Sequence, residues 1–393
     1  MSAARPRIPR AVWVLGFVSL LMDMSSEIYH ALLPAFVTVT LALPVVALGA
    51  IDGVAEATAS FAKLASGRLS DRDRRRKPWI IAGYGLAALS KPLFPLAGGP
   101  IELMGARFAD RVGKGIRGGP RDAMIADETP PEIRGRAFGL RQSLDTVGAL
   151  VAPLIAIALM ALFLGDIRTV FWIAVIPAIL SLLLAWLALR EPERHESVGK
   201  AQAFFAGFRD IDRPTRRLLG VAFLFALARF SEGFLILKGM ESGLSPAWSP
   251  LALVVFNLAF MSLAYPAGQL SDRTSPKSIL LAGMALLVAA DLVLAQQIGL
   301  GGLILGVGLW GGHMALTQGI FARMIADSAP EHLRATSFGA FHFVTGIATL
   351  LSSLGAGLLW DRDGSHVAFF AGAAIAAVAA AMLTLLPEER ASA

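Results

Sequence analysis

Cysteine is absent from the 393 residues, which excludes a disulfide scaffold and any thiolate-held zinc or iron–sulfur centre. Charge is scarce as well. Asp, Glu, Lys and Arg together make up 16% of the chain, against about 25% in an ordinary soluble domain, too few to solvate a globular surface. Apolar residues make up 55%, and the mean hydropathy is +0.64. That composition describes a membrane protein, with the lipid bilayer as its expected surroundings. The formal net charge of +6 calls for no nucleic acid, because membrane proteins concentrate Lys and Arg in cytoplasmic loops.

Catalytic signatures are missing too. The chain has no H-E-x-x-H and no G-x-S-x-G, and Gly113-Lys114 lacks both the following Ser/Thr and the upstream glycine of a phosphate loop. No catalytic residue, cofactor or bound metal ion is expected, and energy should come from an ion gradient rather than ATP. The missing motifs speak against an enzyme, and neither end is long enough for the signalling domain of a receptor.

Apolar runs long enough to cross about 30 Å of hydrocarbon occur twelve times, with ends good to a few residues. They cover approximately 11–38, 44–66, 78–97, 101–126, 136–164, 169–189, 217–237, 249–270, 278–295, 299–326, 336–359 and 366–386. The first follows Arg5, Arg7 and Arg10 but is too long for a signal's apolar region and has no small-residue cleavage site, so it is read as retained. Counted on alternate sides, one set of loops holds those arginines, Arg68 to Lys77, Arg134, Arg136, the stretch Arg190 to Arg217, Arg273, Lys277 and Arg334. The other holds little beyond Arg168, Lys238 and Arg362. The excess of basic residues puts both termini and the 190–216 loop in the cytoplasm, and a bacterial inner membrane is the expected location.

The chain repeats itself once. Gly67-Arg68-Leu69-Ser70-Asp71-Arg72 returns as Gly268-Gln269-Leu270-Ser271-Asp272-Arg273, an offset of 268 − 67 = 201, and Met124-Ile125-Ala126-Asp127 returns as Met324-Ile325-Ala326-Asp327, an offset of 324 − 124 = 200. The organisation that follows is an N-terminal half at 1–189, a cytoplasmic linker at 190–216 and a C-terminal half at 217–393. Parallel six-span repeats are the plan of secondary transporters whose site lies between the halves.

The segment GRLSDRDRRRK from Gly67 to Lys77 resembles the loop signature between the second and third helices of the major facilitator superfamily. Arg107 to Asp127, followed by PPEIRGRAFGL, is similar to that superfamily's fourth helix and the start of its fifth, and DRVGKGIRGGPRD is similar to a string found in a subset of its bacterial members. The resemblance implies an all-α fold of twelve transmembrane helices in two six-helix repeats. It also implies a monomeric transporter of a small-molecule substrate working by alternating access. Gly148 to Pro153 resembles the superfamily's antiporter signature, with Ala152 in place of its second glycine, and leans toward export.

Ionisable side chains inside the bilayer cost at least about 2.5–3.5 kcal/mol on insertion scales and are functional candidates by default. Asp23, Glu27 and His30 lie at i, i+4 and i+7, one stripe of the first span. Arg229 and Glu232 occupy the corresponding part of the seventh, and the resemblance, which sets these two helices around the central cavity, would let Glu27 and Glu232 face each other. These five are the candidate proton and substrate residues, with Glu27 as principal proton carrier. The alternative is that Glu27 or Asp23 pairs with Arg229 or another base and orients helices.

The fourth span carries a stripe of Arg107, Asp110, Arg111, Lys114 and Arg117, continued by Arg121. Asp110, Asp52, Glu56 and Asp145 are its candidate partners; Arg117 and Arg121 read as gating pairs, and Arg107, Arg111 and Lys114 as structural cations or as attractors of an anion. The resemblance further assigns Gly67, Asp71, Arg72, Asp272 and Arg273 to the cytoplasmic gate. Taken together the expectation is a proton-coupled exporter of a small organic molecule. Divalent-metal export, suggested by the carboxylates and histidine of the first span, and proton-coupled uptake of an organic anion are the alternatives.

Overall fold

The computed structural model describes residues 8–73, 75–191, 211–271, 274–296, 299–318, 320–329 and 334–386, and within them the chain is helical throughout. The helices are α1 (Arg10–Ala35), continued by a π-turn at Phe36–Thr40, α2 (Val45–Asp73), α3 (Lys77–Ser90), α4 (Leu93–Leu96), α5 (Pro100–Glu128), α6 (Arg134–Leu162) and α7 (Ile167–Ala188). After the linker come α8 (Arg213–Ala228), α9 (Gly233–Glu241), α10 (Leu251–Ser271), α11 (Pro276–Ala295), α12 (Gly299–Thr317), α13 (Ile320–Ser328), α14 (Arg334–Asp363) and α15 (Ser365–Thr384). Each of the twelve expected spans coincides with one helix or with a consecutive pair. By length and composition, nine of the described segments can cross a membrane, and a shorter apolar stretch lies at Leu251–Ala264. The remaining two expected spans are α3 with α4, which is interrupted at Lys91-Pro92, and α5, whose charges set it apart.

Two compact units emerge, Met1–Leu32 with Thr58–Ala201 and Leu33–Ala57 with Gln202–Ala393. In the first, α3 and α5 meet backbone to backbone. A Cβ on Gly113 would lie 2.7 Å from the Gly83 carbonyl oxygen and 2.8 Å from the Ala87 nitrogen, and one on Gly83 would lie 2.7 Å from the Arg117 nitrogen. Glycine is the residue that permits this approach, as small residues do between membrane helices. At the start of α7, Asp166 caps the helix by accepting from the Arg168 N–H at 3.0 Å and from the Thr169 hydroxyl at 2.6 Å. The Thr169 hydroxyl is the main reason its carboxyl is held below the usual carboxylate range.

In the second unit, residues 45–57 of α2 pack on α14. Asp361 accepts from the N–H groups of Val45 and Val46 at 2.8 and 2.7 Å, serving as the acceptor for an orphan helix N-terminus. Gly357 lets α14 reach Val46, because a Cβ there would lie 2.7 Å from the Val46 Cα.

The seventh expected span is broken. Helix α8 stops at Arg229, whose backbone is extended (φ −107°, ψ 103°), and α9 begins four residues later. Ser231 closes the break: its Oγ accepts from the Gly233 N–H at 3.1 Å and donates to Asp52 Oδ2 at 2.6 Å, while its N–H donates to Ser353 Oγ at 3.2 Å. Irregular backbone at membrane depth persists only where such partners or a water-lined space satisfy it.

Candidate functional site

The close α3–α5 contact fixes the first polar cluster. Lys91, one turn beyond Ala87, meets Asp110, one turn before Gly113, with Nζ 2.8 Å from Oδ1. Lys91 is fully buried and Asp110 nearly so. The same ammonium donates to Ser26 Oγ on α1 at 2.9 Å and sits 5.0 Å above the Tyr29 ring. Tyr29 is itself pinned, its hydroxyl donating to the Phe171 carbonyl at 2.6 Å with the Lys91 carbonyl 3.1 Å away. Arg111 Nε lies 3.5 Å from Asp110 Oδ2, and Arg107, one turn earlier on α5, is buried beside them. Three cations therefore gather, buried, on one helix pair. Glu27 and His30 form a second pair on α1, Oε2 to Nδ1 at 3.3 Å, both half-buried.

The rest of the α5 stripe turns outward or into packing. Lys114 is exposed. Arg117 is buried with its guanidinium 4.7 Å over the Tyr84 ring, a cation–π arrangement. Arg121 donates to Ser19 at 3.0 Å and to Asp122 at 3.1 Å, and Asp145 is paired with Arg141 of its own helix. Asp23 is half-buried against α6, where a Cβ on Gly148 would come within 3.5 Å of it.

The second unit builds a different cluster where α8 breaks. Asp291 on α11 is fully buried, with Oδ1 accepting from the Trp310 indole N–H at 2.8 Å and Oδ2 without a hydrogen-bond partner among the described residues. His313, one turn along α12, is fully buried and stands edge-on to Trp310 with ring centroids 4.8 Å apart; neither ring nitrogen has a hydrogen-bond partner among the described residues. Phe225 packs against the other side of His313 at 6.2 Å, with the Arg229 guanidinium 5.8 Å over the Phe225 ring. Glu232 stands half-buried at the N-cap of α9.

Farther along α9, Lys238 is buried rather than placed in a loop as the charge count expects, bonded to Ser365 at 2.9 Å and Glu241 at 3.2 Å. These line a cavity of about 660 Å³ with Ser242, Gly299, Gly364 and His366. No group of three or more His, Asp or Glu side chains placed to hold a metal ion occurs among the described residues.

Of the expected gate, Asp272 and Arg273 lie outside the described residues; Gly67, Asp71 and Arg72 fall on the last turns of α2, and their side chains lie outside them too. The linker 190–216 is described only at its two ends. Nearby, Arg76 Nε lies 3.4 Å from Asp127, and Glu191 accepts the Arg76 and Lys77 N–H groups at the start of α3.

The model of the Major Facilitator Superfamily matches residues 15–353, with a second match over 239–393. The chain belongs to the major facilitator superfamily. Among its superfamily relatives is an uncharacterized MFS-type transporter of Methanocaldococcus jannaschii, 28% identical over 96% of this chain and 95% of that protein. Another, named a probable 4-methylmuconolactone transporter, from Cupriavidus pinatubonensis, is 26% identical over 99% of this chain and 92% of that protein. A POT family transporter crystallised with 5-aminolevulinic acid superposes with a TM-score of 0.80 at 14% identity, covering 96% of each chain. The superfamily fold of a multi-pass membrane transporter is thereby established.

Lys91, Tyr29, Asp291, Trp310 and His313 were not among the residues that spacing picks out. Lys91, Asp291 and His313 nonetheless carry the signal that singles out Glu27, an ionisable side chain inside an apolar run.

Proposed function

We propose that this superfamily transporter moves a small organic anion in exchange for protons. The observation that carries the reading is the buried cation cluster of Lys91, Arg107 and Arg111 about Asp110, at 0%, 2%, 3% and 1% exposure. Cations are kept in a membrane interior at considerable cost. A site where an incoming carboxylate shares them with Asp110 accounts for their retention and for the planar forks that α5 presents. The relative named for 4-methylmuconolactone supports a small organic molecule as cargo.

Glu27 is the proton carrier in this reading. Its half-buried carboxylate beside His30 takes a proton in one state of the cycle and returns it in the other, with Asp23 one turn toward the cytoplasm and Glu232 as the repeat-related helper. Asp71 and Arg72, with their repeats Asp272 and Arg273, are the gating residues in this reading. Export is the direction we infer, from Gly148 to Pro153, and an inner membrane with both termini cytoplasmic follows from the basic loops.

The test begins with the thermal stability of the purified protein against benzoate, succinate, 5-aminolevulinic acid, divalent metals and neutral or cationic drugs. A ligand at about 100 times its Kd adds about 2.7 kcal/mol to apparent stability. Stabilisation by organic acids, lost in Arg111→Gln, supports the reading. Stabilisation by metals or cations alone overturns it.

A further inference from the structure

The second unit contains a carboxylate that the transport reading leaves unused. Asp291 sits fifteen residues into α11 in an apolar run, fully buried. It has one donor, the Trp310 indole, and no cation pairs with it among the described residues. Its second oxygen faces α15, where a Cβ on Gly372 would lie 2.8 Å from Oδ2 and 3.2 Å from the Ala228 carbonyl oxygen. Because α8 stops at this point, the Ala228 carbonyl is among the last four of its helix and has no i+4 N–H to accept from. A buried charge without a counter-ion is relieved by taking up a proton. On Oδ2 that proton would stand on the side of Gly372, which the Ala228 carbonyl also borders.

Among the described residues Asp291 makes no ion pair, and the charged groups nearest to it are few. From α12 come Trp310 and His313; α15 adds only His366 at its first turn, α13 carries the exposed Arg323, and the side chains of Tyr265 on α10 and Asp327 on α13 lie outside the described residues. From the break come Arg229 and Glu232. Trp310 donates its N–H to Asp291 and packs at right angles to the His313 ring, so one side chain positions both.

We propose that Asp291, with Trp310 and His313, is a second proton-binding site, housed entirely in the C-terminal unit. The site rests on the proton-coupled reading above and adds to it. In this proposal Asp291 is a carboxylic acid for as long as water is kept from it. When the α8–α9 break admits water, the O–H bond breaks, the proton passes to water or to a free nitrogen of His313, and the carboxylate left behind keeps the indole hydrogen bond. Uptake reverses the step, so no proton or electron is left over.

Infrared spectroscopy of the purified, membrane-reconstituted full chain at neutral pH tests this without any transported ligand, the proton itself being the probe. A carbonyl band of a protonated carboxylic acid is expected in the wild type and in Glu27→Gln, and its loss in Asp291→Asn. In Trp310→Phe the band should move to higher frequency as the carbonyl loses its donor, which serves should Asp291→Asn fail to fold. A band unchanged in Asp291→Asn, unmoved in Trp310→Phe, or missing from the wild type overturns the site. Proton movement on addition of organic acid to wild-type proteoliposomes tests the underlying reading separately. Its absence with the Asp291 band present sinks the coupling and removes the site's role in transport, whereas its presence without the band leaves Glu27 as the carrier and removes only this site.

Discussion

The two units each bury polar groups, and they do so in opposite ways. In the first, Lys91, Asp110, Arg111 and Ser26 interlock, so that charge is compensated by charge within 2.8–3.5 Å. In the second, Asp291 and His313 are just as buried, but among the described residues Asp291 has the Trp310 indole as its one hydrogen-bond partner and His313 packs on aromatic rings. The physics predicts different fates for the same kind of substitution. Removing one member of an interlocked set strands its partner as a buried charge, whereas replacing an isolated acid by its amide removes no counter-charge. One cluster is built to hold a charge pattern, and the other to gain and lose a proton.

The largest effect should come from breaking the interlocked set. Asp110→Asn is expected to destabilise the protein by about 3–5 kcal/mol, the cost of leaving buried cations without their acid, and Lys91→Met by less, because Asp110 keeps Arg111 beside it. Asp291→Asn should change stability by less than about 1 kcal/mol, since Asn still accepts from Trp310. Melting curves of the four proteins check the contrast. Equal losses for Asp110→Asn and Asp291→Asn would erase the distinction between the units.

Next comes the scaffold that joins Lys91 to Asp110. A leucine at Gly113 has no room between α3 and α5, and overpacking of this kind costs about 1–3 kcal/mol. Gly105, on the same helix with nothing within 4 Å of its would-be Cβ, should accept alanine without loss. Denaturation of Gly113→Leu beside Gly105→Ala measures the difference. A smaller loss, about 1 kcal/mol, is expected for Ser231→Ala, which removes the hydroxyl that caps α9 and donates to Asp52.

The smallest effect concerns Asp166, which lies outside both clusters. Its carboxyl is held below the usual range, chiefly by Thr169, so the stability it lends is present above the unfolded-state value and is lost as pH falls through the folded one. Asp166→Ala should lower stability by about 1 kcal/mol or less at neutral pH, and the gap from wild type should close in acid. Stability measured across that range decides it.

How far the sequence reveals this arrangement differs between the clusters. The spans follow from apolar length, and the first cluster is half visible because Arg107, Asp110 and Arg111 recur on one face of a helix. Its other half is hidden. Lys91 sits between Ser90 and Pro92, where it looks like turn punctuation, and its meeting with Asp110 depends on the glycines of α3 and α5. Asp291 and His313 have no i+4 companion, so periodicity carries nothing and only the cost of insertion marks them. The break at Arg229 to Glu232 has no proline or glycine ahead of Gly233 to announce it. It depends on Ser231 and Asp52, which are 179 positions apart.

The central claim, proton-coupled movement of an organic anion, is tested most directly in proteoliposomes carrying an internal pH-sensitive dye, challenged with benzoate, succinate or 5-aminolevulinic acid. The account predicts that at least one of these acids evokes proton movement opposite to its own. It also predicts that Glu27→Gln abolishes the proton signal while exchange of labelled for unlabelled acid persists. A wild-type protein that carries the acid without moving protons, or a Glu27→Gln protein whose proton signal is intact, would contradict it.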